Sequence, residues 1–169
     1  MAQERLEERL VLGDASPLIG LAAAGGFDLL LRLFGALRIT AAVRDEVLAG
    51  GGRPGAGELQ AGLDAGWIRM IESVPDDPLF ADLGEGEAST LRAALSAGAG
   101  TLVILDDRKG REAATACGIE HVGTLGVIVA AKQRGLIKAT RPYFARLVEH
   151  GFHLPEALMK VLLRDLGET

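Results

Sequence analysis

The sequence predicts a single α/β domain over residues 1–169, with helices packed on both faces of a mainly parallel central sheet. Three observations favour this class. Short apolar runs alternate with longer segments of helical spacing, a pattern typical of strand–helix–strand units. Two of those runs end in aspartate. Finally, 49% of the chain is apolar but only 4% is aromatic, so the core must consist of Leu, Val, Ile and Ala, as in buried parallel sheets.

Five segments have the pattern of a short strand. The clearest is TLVILDD, an apolar run that ends in two acids, whereas WIRMIES alternates apolar and polar residues. The predicted strands are 10–14, 37–40, 67–73, 101–107 and 119–122. Right-handed crossovers between them would place helices on both faces of the sheet.

Nine segments have apolar residues at helical spacing. The predicted helices are 17–24, 27–34, 41–48, 58–65, 84–97, 109–118, 125–134, 142–150 and 155–166. Ser16 and Pro17 mark the start of the first, because serine is a good N-cap and proline fits the first helical turn. Thr124 can cap the seventh in the same way. In the last helix, apolar residues share roughly one face, which packs either on the domain or on a partner; they are Leu158, Val161, Leu162 and Leu166.

Cysteine usage and hydropathy indicate a cytoplasmic protein. Cys117 is the only cysteine, so neither an intrachain disulfide nor a cysteine-based metal site can form. The best apolar stretch, 29–37, is too short for a membrane span and contains Arg32. The segment 1–10 is charged in both signs, and no apolar signal segment follows it. We therefore expect no membrane association.

The charge is uneven along the chain. A net charge of −5 argues against a protein that coats nucleic acid nonspecifically. Residues 1–100 carry 8 Lys and Arg against 15 Asp and Glu, while residues 101–169 carry 10 against 8. An acidic cluster that holds a cation could accept a polyanion if a basic region lies beside it. A solvated surface with chance asymmetry explains the same counts equally well.

Two strand ends carry candidate chemical groups. Asp14 follows LVLG and Asp106 follows LVIL, and the carboxyl ends of parallel strands share one edge of a sheet, so the two carboxylates converge on one crevice if these strands are neighbours. Glu87, in the first turn of the helix at 84–97, points to the same edge, and Glu46 is a plausible fourth acid. Clustered carboxylates need a cation or a shared proton. Oxygen ligands suit Mg²⁺ or Mn²⁺, which can activate water and stabilise a departing oxygen.

The alternative interpretation of these acids is structural. An aspartate at a strand end often caps the following helix or shapes a turn. A glutamate in a first helical turn interacts with the helix dipole. For Asp14 and Asp106 together, the residue pattern does not decide between the two interpretations.

The order of these segments resembles PIN-domain proteins. The run DASPLIGLAAAGGFDLLLRLFG resembles the family's opening, in which Asp-x-Ser/Thr ends the first strand. GEGEASTLRAAL resembles its central acidic helix, and LVILDDRKGREAA its later acidic strand end. HVGTLGVIVAAKQRGLI and EHGFHLPEALMKVLLRDLGE resemble one prokaryotic PIN-like branch. The resemblance covers about 10–168.

The resemblance implies a three-layer α/β/α fold with a mainly parallel sheet. It also implies a metal-dependent endoribonuclease, with Mg²⁺ or Mn²⁺ as cofactor and single-stranded RNA as substrate. Many relatives are VapC-like toxins that pair with a small antitoxin protein and are often homodimeric. The expected partners are therefore RNA, an antitoxin and a second copy of the chain.

The resemblance also assigns roles to individual residues. The three catalytic residues, which are also metal ligands, are Asp14, Glu87 and Asp106. The further candidate ligands are Glu46 and Asp107. Two supporting roles complete the set: the Ser16 hydroxyl supports Asp14, and Glu85 is a nearby substitute for Glu87.

Three basic residues follow the second acidic strand end and could hold a phosphate beside the metal: Arg108, Lys109 and Arg111. Arg111 could instead pair with Asp107 one helical turn earlier.

Two rival functions accompany the ribonuclease. The first is a catalytically inactive PIN-like module that binds nucleic acid or an antitoxin, motivated by the loose match around Glu46. The second is a phosphatase-like hydrolase of small phosphoesters, which the lack of an Asp-x-Asp at the first strand end disfavours.

Overall fold

The computed structural model of the protein describes residues 9–168. Residues 1–8 and Thr169 lie outside the described residues, so most of the charged N-terminal segment discussed above does too. Within residues 9–168, no single helix has the length and apolar composition needed to cross a membrane. The helices at 15–23 and 28–34 reach that threshold only when counted together, and a bend of 115° separates them.

Five parallel strands form one sheet, as predicted. They are β1 Val11–Gly13, β2 Leu37–Ile39, β3 Ile68–Met70, β4 Leu102–Ile104 and β5 Glu120–Val122. Their order is β3-β2-β1-β4-β5. The chain thus runs outward from β1 to β3, then crosses back to β4 on the other side of β1. This reversal opens a crevice at the carboxyl ends of β1 and β4, where open α/β sheets bind ligands.

The helices of residues 9–168 lie close to their predicted positions. They are α1 Ala15–Ala23, α2 Asp28–Phe34, α3 Ala41–Leu48, α4 Ala56–Ala65, α5 Glu85–Ala97, α6 Arg108–Ala116, α7 Thr124–Gln133, α8 Arg141–Glu149 and α9 Glu156–Asp165. Two predicted caps are wrong. Asp14, not Ser16, occupies the N-cap of α1, and Gly123, not Thr124, occupies that of α7. In both cases the helix begins directly behind the strand, so the predicted cap residue falls inside the first turn.

The sheet separates two apolar cores. Val11 and Ile104 face the layer that holds α1, α2, α7 and α8, whereas Leu12 and Val103 face the layer that holds α5 and α6. This alternation follows from the two-residue period of a strand. Because both faces of β1 and β4 are buried, their sequences are apolar without interruption. The three-layer α/β/α class predicted from the sequence is confirmed.

Helix α9 packs on its own domain, with a face different from the predicted one. Leu163 is buried, and Met159 and Leu162 pack partly against the first core. Leu158 and Val161, predicted on the packing face, are 42% and 43% exposed. The true packing stripe is therefore rotated from the one that the apolar pattern indicates.

The Glu168 carboxylate caps the N-terminus of α8. Its carboxylate accepts hydrogen bonds from the backbone N–H groups of Thr140 (2.7 Å) and Arg141 (3.1 Å) and from the Thr140 hydroxyl. Burial alone would raise the pKa of Glu168, but these hydrogen bonds and the Lys132 ammonium together lower it. The end of the chain is thereby bound to the start of α8, where the helix dipole favours a negative charge.

Candidate acidic site at the β1–β4 crevice

The crevice brings the two strand-end aspartates to one edge of the sheet. Gly13 pairs in register with Ile104, and the Asp14 N–H donates to the Ile104 carbonyl at 3.0 Å. Asp14 is the first residue after β1, and Asp106 follows β4 by two residues. Both acids therefore lie at strand ends, as the sequence predicts, and the structure shows that the two strands are neighbours.

Asp14 is the buried centre of the site. It is only 2% exposed, and within residues 9–168 its buried Oδ1 has no hydrogen-bond partner. Burial raises the pKa of Asp14 to about 7; the Ala15 N–H opposes this change, while the carboxylates of Glu87, Glu46 and Asp106 add to it. Asp14 occupies the N-cap position of α1, yet its side chain makes no capping bond. Helix capping, which is the structural interpretation of a strand-end aspartate, therefore does not explain why Asp14 is buried here.

Glu46 approaches Asp14 across a gap that Gly86 leaves open. A Cβ at Gly86 would lie 2.8 Å from Glu46 Oε2 and 3.3 Å from Asp14 Oδ1. The two carboxylate oxygens are therefore no more than about 6 Å apart, within the range where like charges repel strongly. Any side chain at position 86 would occupy the space between them.

A chain of buried hydroxyls positions the helices that carry these acids. Thr40 caps α3 by accepting from the Val43 N–H, and its Oγ1 lies 2.8 Å from Ser89 Oγ of α5. Ser89 and Thr90 both donate to the Gly86 carbonyl, at 3.0 and 2.7 Å. The starts of α3 and α5 are thereby bound together, which places Glu46 beside the first turn of α5.

Sequence reasoning missed this hydroxyl chain. The signal that could have revealed it is a pair of adjacent hydroxyl residues, Ser89 and Thr90, on a helix face that is otherwise apolar.

Glu87 extends the acidic cluster from the first turn of α5. It is half-buried, and burial raises its pKa, with further contributions from the carboxylates of Asp107 and Glu46; the Gly84 N–H acts in the opposite direction. Glu85, the predicted substitute, is exposed and forms an ion pair with Arg92 at 2.9 Å. The Glu85 carboxylate is thus paired with an arginine of its own helix.

Asp106 is held by the start of α7. The Thr124 N–H donates to Oδ1 at 2.7 Å, and the Thr124 hydroxyl donates to Oδ2 at 2.6 Å. Gly123 permits this approach, because a Cβ there would lie 2.8 Å from Asp106 Oδ1. Thr124 is fully buried, so Asp106 has a defined orientation. The sequence prediction gave Thr124 a capping role and overlooked this contact.

Two further candidates are Ser16, predicted to support Asp14, and Asp107, predicted as an additional metal ligand. Ser16 is exposed and makes no hydrogen bond to Asp14; it lines a groove together with Asp106. Asp107 caps α6 by accepting from the Gly110 N–H at 2.9 Å, so the structural interpretation holds for this acid.

Of the three basic candidates, Arg108 pairs with Glu112 at 2.9 Å and Lys109 is exposed. Arg111 lies near Gly123, at the Asp106 end of the site, and no ion pair joins it to Asp107. The proposed i,i+4 pair therefore does not form.

The acidic cluster, which we define as Asp14, Glu46, Glu87, Asp106 and Asp107, has no ion pair to any Lys or Arg in the part of the chain that the structure describes. Over the same residues, no three acidic, imidazole or thiol side chains are already arranged to hold a metal ion. Mg²⁺, however, often uses only one or two protein carboxylates and keeps several waters. The unpartnered Asp14 Oδ1 and the open space over Gly86 fit such an ion.

A comparison with protein families agrees with this geometry. A family model described as a PIN domain matches residues 10–168. The chain therefore belongs to this PIN-domain family. PIN domains are generally nucleases and typically depend on divalent metal ions. A search of curated proteins gives no match.

Proposed function

We propose that this protein is a Mg²⁺- or Mn²⁺-dependent ribonuclease that cleaves single-stranded RNA. The observation that carries the proposal is the Asp14 carboxylate, which is buried without a partner for Oδ1 beside three other acids. Burying a carboxylate without a counter-charge is costly unless a cation or a proton compensates. Membership in a family of nucleases supports a cation as the compensating group.

Asp14 and Glu46, whose oxygens lie on either side of the space at Gly86, would hold the metal, with Asp106 at the edge of the site and Glu87 beside them. When bound, the metal would activate a water molecule and stabilise the departing oxygen of a phosphodiester. The chain's own contribution is orientation and proton transfer. Thr124 holds Asp106 in one orientation through two hydrogen bonds. Glu87 is half-buried with a raised pKa, so its carboxylate is suited to take a proton from the attacking water.

The test is cleavage of a labelled single-stranded RNA in Mn²⁺ by the wild type, by Asp14→Asn and by the matched surface variant Asp82→Asn. We expect Asp14→Asn to lose at least about a hundredfold in rate, the scale of removing one electrostatic catalytic group, and Asp82→Asn to match the wild type. Equal cleavage by all three proteins would remove the proposal.

A binding module without catalysis is the second candidate. One specific observation favours it: both oxygens of Asp106 already accept hydrogen bonds from Thr124. Titration calorimetry with Mn²⁺ separates the two functions, because the enzyme must bind the metal at a site that Asp14→Asn destroys. RNA binding without metal binding or cleavage would favour the module.

The wider biological setting is also a proposal. The resemblance to VapC-like toxins supports a toxin role, a small antitoxin partner, a homodimer and a cytoplasmic location. Co-expression with the product of a neighbouring small reading frame, followed by light scattering on the purified complex, tests the partner and the oligomeric state together.

A further inference from the structure

A groove of about 490 Å³ opens beside the acidic cluster, with Asp106 on its rim. Its volume lies within the range typical of small-molecule sites. The walls are mostly apolar and come from α1, from the end of α8 and from the glycine-rich loop after α3. The residues that form them include Ile19, Ala23, Arg53, Leu147 and Phe152.

Phe152 provides an aromatic surface in this groove. It is half-buried, packs partly against the first core and lines the groove. The ring packs directly against Gly20 of α1, where a Cβ would lie 3.7 Å from it, so Phe152 and α1 form one continuous wall of the groove. Nucleobases stack on aromatic side chains largely without regard to sequence, because every base has a flat π-face.

Arg53 is the arginine of the groove, whose lining also includes His150. Its Nε donates to the Gly50 carbonyl at 3.2 Å, and it forms no ion pair with an acid among residues 9–168. The loop is held against α1 at Gly55, whose φ of +112° favours glycine and whose Cβ would touch Ile19. Arg53 is thus placed over the groove with guanidinium N–H groups available to bind a phosphate.

We propose that the groove holds one nucleobase of the RNA strand, next to the cleavage position, while Arg53 binds the adjoining phosphate. The proposal rests on the proposed ribonuclease function, since Asp106 joins the groove to the acidic cluster. An apolar slot with an aromatic wall suits a base, and a single arginine at its edge suits a phosphate. The groove therefore acts as a subsite that positions single-stranded RNA, which can place an unstacked base there, whereas a duplex cannot.

The test measures binding of a short fluorescein-labelled single-stranded RNA by anisotropy, in EDTA and again in Ca²⁺. Ala23→Phe fills the groove, and Ala61→Phe is its control on an exposed face of α4. Arg53→Ala removes the cation. Arg69→Ala is its control, because Arg69 makes the same local bond, from Nε to the carbonyl three residues earlier, at 3.1 Å.

We expect Ala23→Phe and Arg53→Ala to raise Kd about tenfold and both controls to stay within about twofold of the wild type. Arg53→Ala should also reduce the salt dependence of binding by about one phosphate contact. An RNA with one abasic ribose, moved along the strand, should bind the wild type more weakly at one position. Ala23→Phe should be insensitive to that change, since its groove is already filled.

The two proposals fail in different ways. If the wild type cuts RNA but the groove variants bind like their controls, or if every abasic RNA binds like the intact one, the base subsite is wrong and the ribonuclease stands. If the wild type shows the groove-dependent pattern but cuts nothing, only the ribonuclease fails. No RNA binding in either buffer overturns the subsite. Thermal unfolding checks each variant, and Ala23→Leu replaces Ala23→Phe if the latter does not fold.

Discussion

Replacing Asp14 by asparagine should stabilise the protein above neutral pH while removing its metal site. In the unfolded chain the carboxyl has its ordinary pKa of 3.8, and in the folded protein burial raises that pKa to about 7. Between these values the folded state binds a proton that the unfolded state has lost. The free energy of unfolding therefore falls as pH rises from about 4 to about 7.

The size of this effect follows from the two pKa values. Each pH unit of difference corresponds to about 1.4 kcal/mol, so the interval from 3.8 to about 7 amounts to about 4 kcal/mol. Solvent screening reduces this little, because Asp14 is 2% exposed. Asparagine removes the charge but keeps a buried amide that needs partners, which costs about 1–3 kcal/mol. The net gain at pH 8 should be about 1–3 kcal/mol, a large share of a typical domain stability.

Urea unfolding in EDTA at pH 5, 6.5 and 8 measures the effect. The quantity of interest is the stability of Asp14→Asn minus that of the wild type, because other titrating groups cancel in the difference. It should grow with pH, whereas Asp82→Asn should show no such growth. Added Mn²⁺ should stabilise the wild type at pH 8 and leave Asp14→Asn unchanged. A difference that is level or shrinks with pH would refute the reasoning.

Three further substitutions test the supporting contacts. Gly86→Ala should abolish Mn²⁺ binding in calorimetry, because its Cβ would fill the gap between two carboxylates, whereas Gly84→Ala, with nothing within 4 Å, should bind normally. Thr124→Val should lower RNA cleavage about 10- to 100-fold, because it removes the hydroxyl bond to Asp106 and leaves only the backbone one, and Thr124→Ser should recover most of the rate; equal rates would contradict the orienting role. Glu168→Gln should cost about 1–3 kcal/mol at pH 7 by urea unfolding. Because folding lowers the pKa of Glu168, that loss should disappear as pH falls through the lowered pKa, and a loss that persists in acid would exclude the charge as its cause.

The helices and strands could be predicted from local sequence patterns, because the spacing of apolar residues within a short segment indicates which of the two it forms. The apolar run before Asp14 and the one before Asp106 each predict a buried strand, whereas only the structure shows that these two strands are neighbours in the sheet. The acid-bearing turns of α3 and α5 could be placed only approximately. Their separation depends on the Thr40–Ser89–Gly86 contacts, which join segments more than forty residues apart.

Side-chain roles were the least predictable part. Ser16 and Thr124 both follow a strand and both are good caps by residue type, yet neither caps its helix. One points to solvent, and the other holds Asp106. The difference arises because folding brings Asp106, 18 residues away in sequence, within hydrogen-bond distance of Thr124, and local residue preferences carry no information on such a contact.

The sequence by itself determined the class of this protein: five short strands, helices between them, and acids at two strand ends in the order that PIN domains share. Those features follow from the spacing of apolar residues and from backbone preference, and both can be recognised within a few consecutive residues. Only the tertiary structure decided which acids are buried and, among residues 9–168, form no ion pair with a lysine or arginine. Asp14 is buried because segments distant in sequence pack over it, whereas the Glu85 carboxylate pairs with Arg92 of its own helix. Charge compensation depends on distances through space, and folding sets those distances.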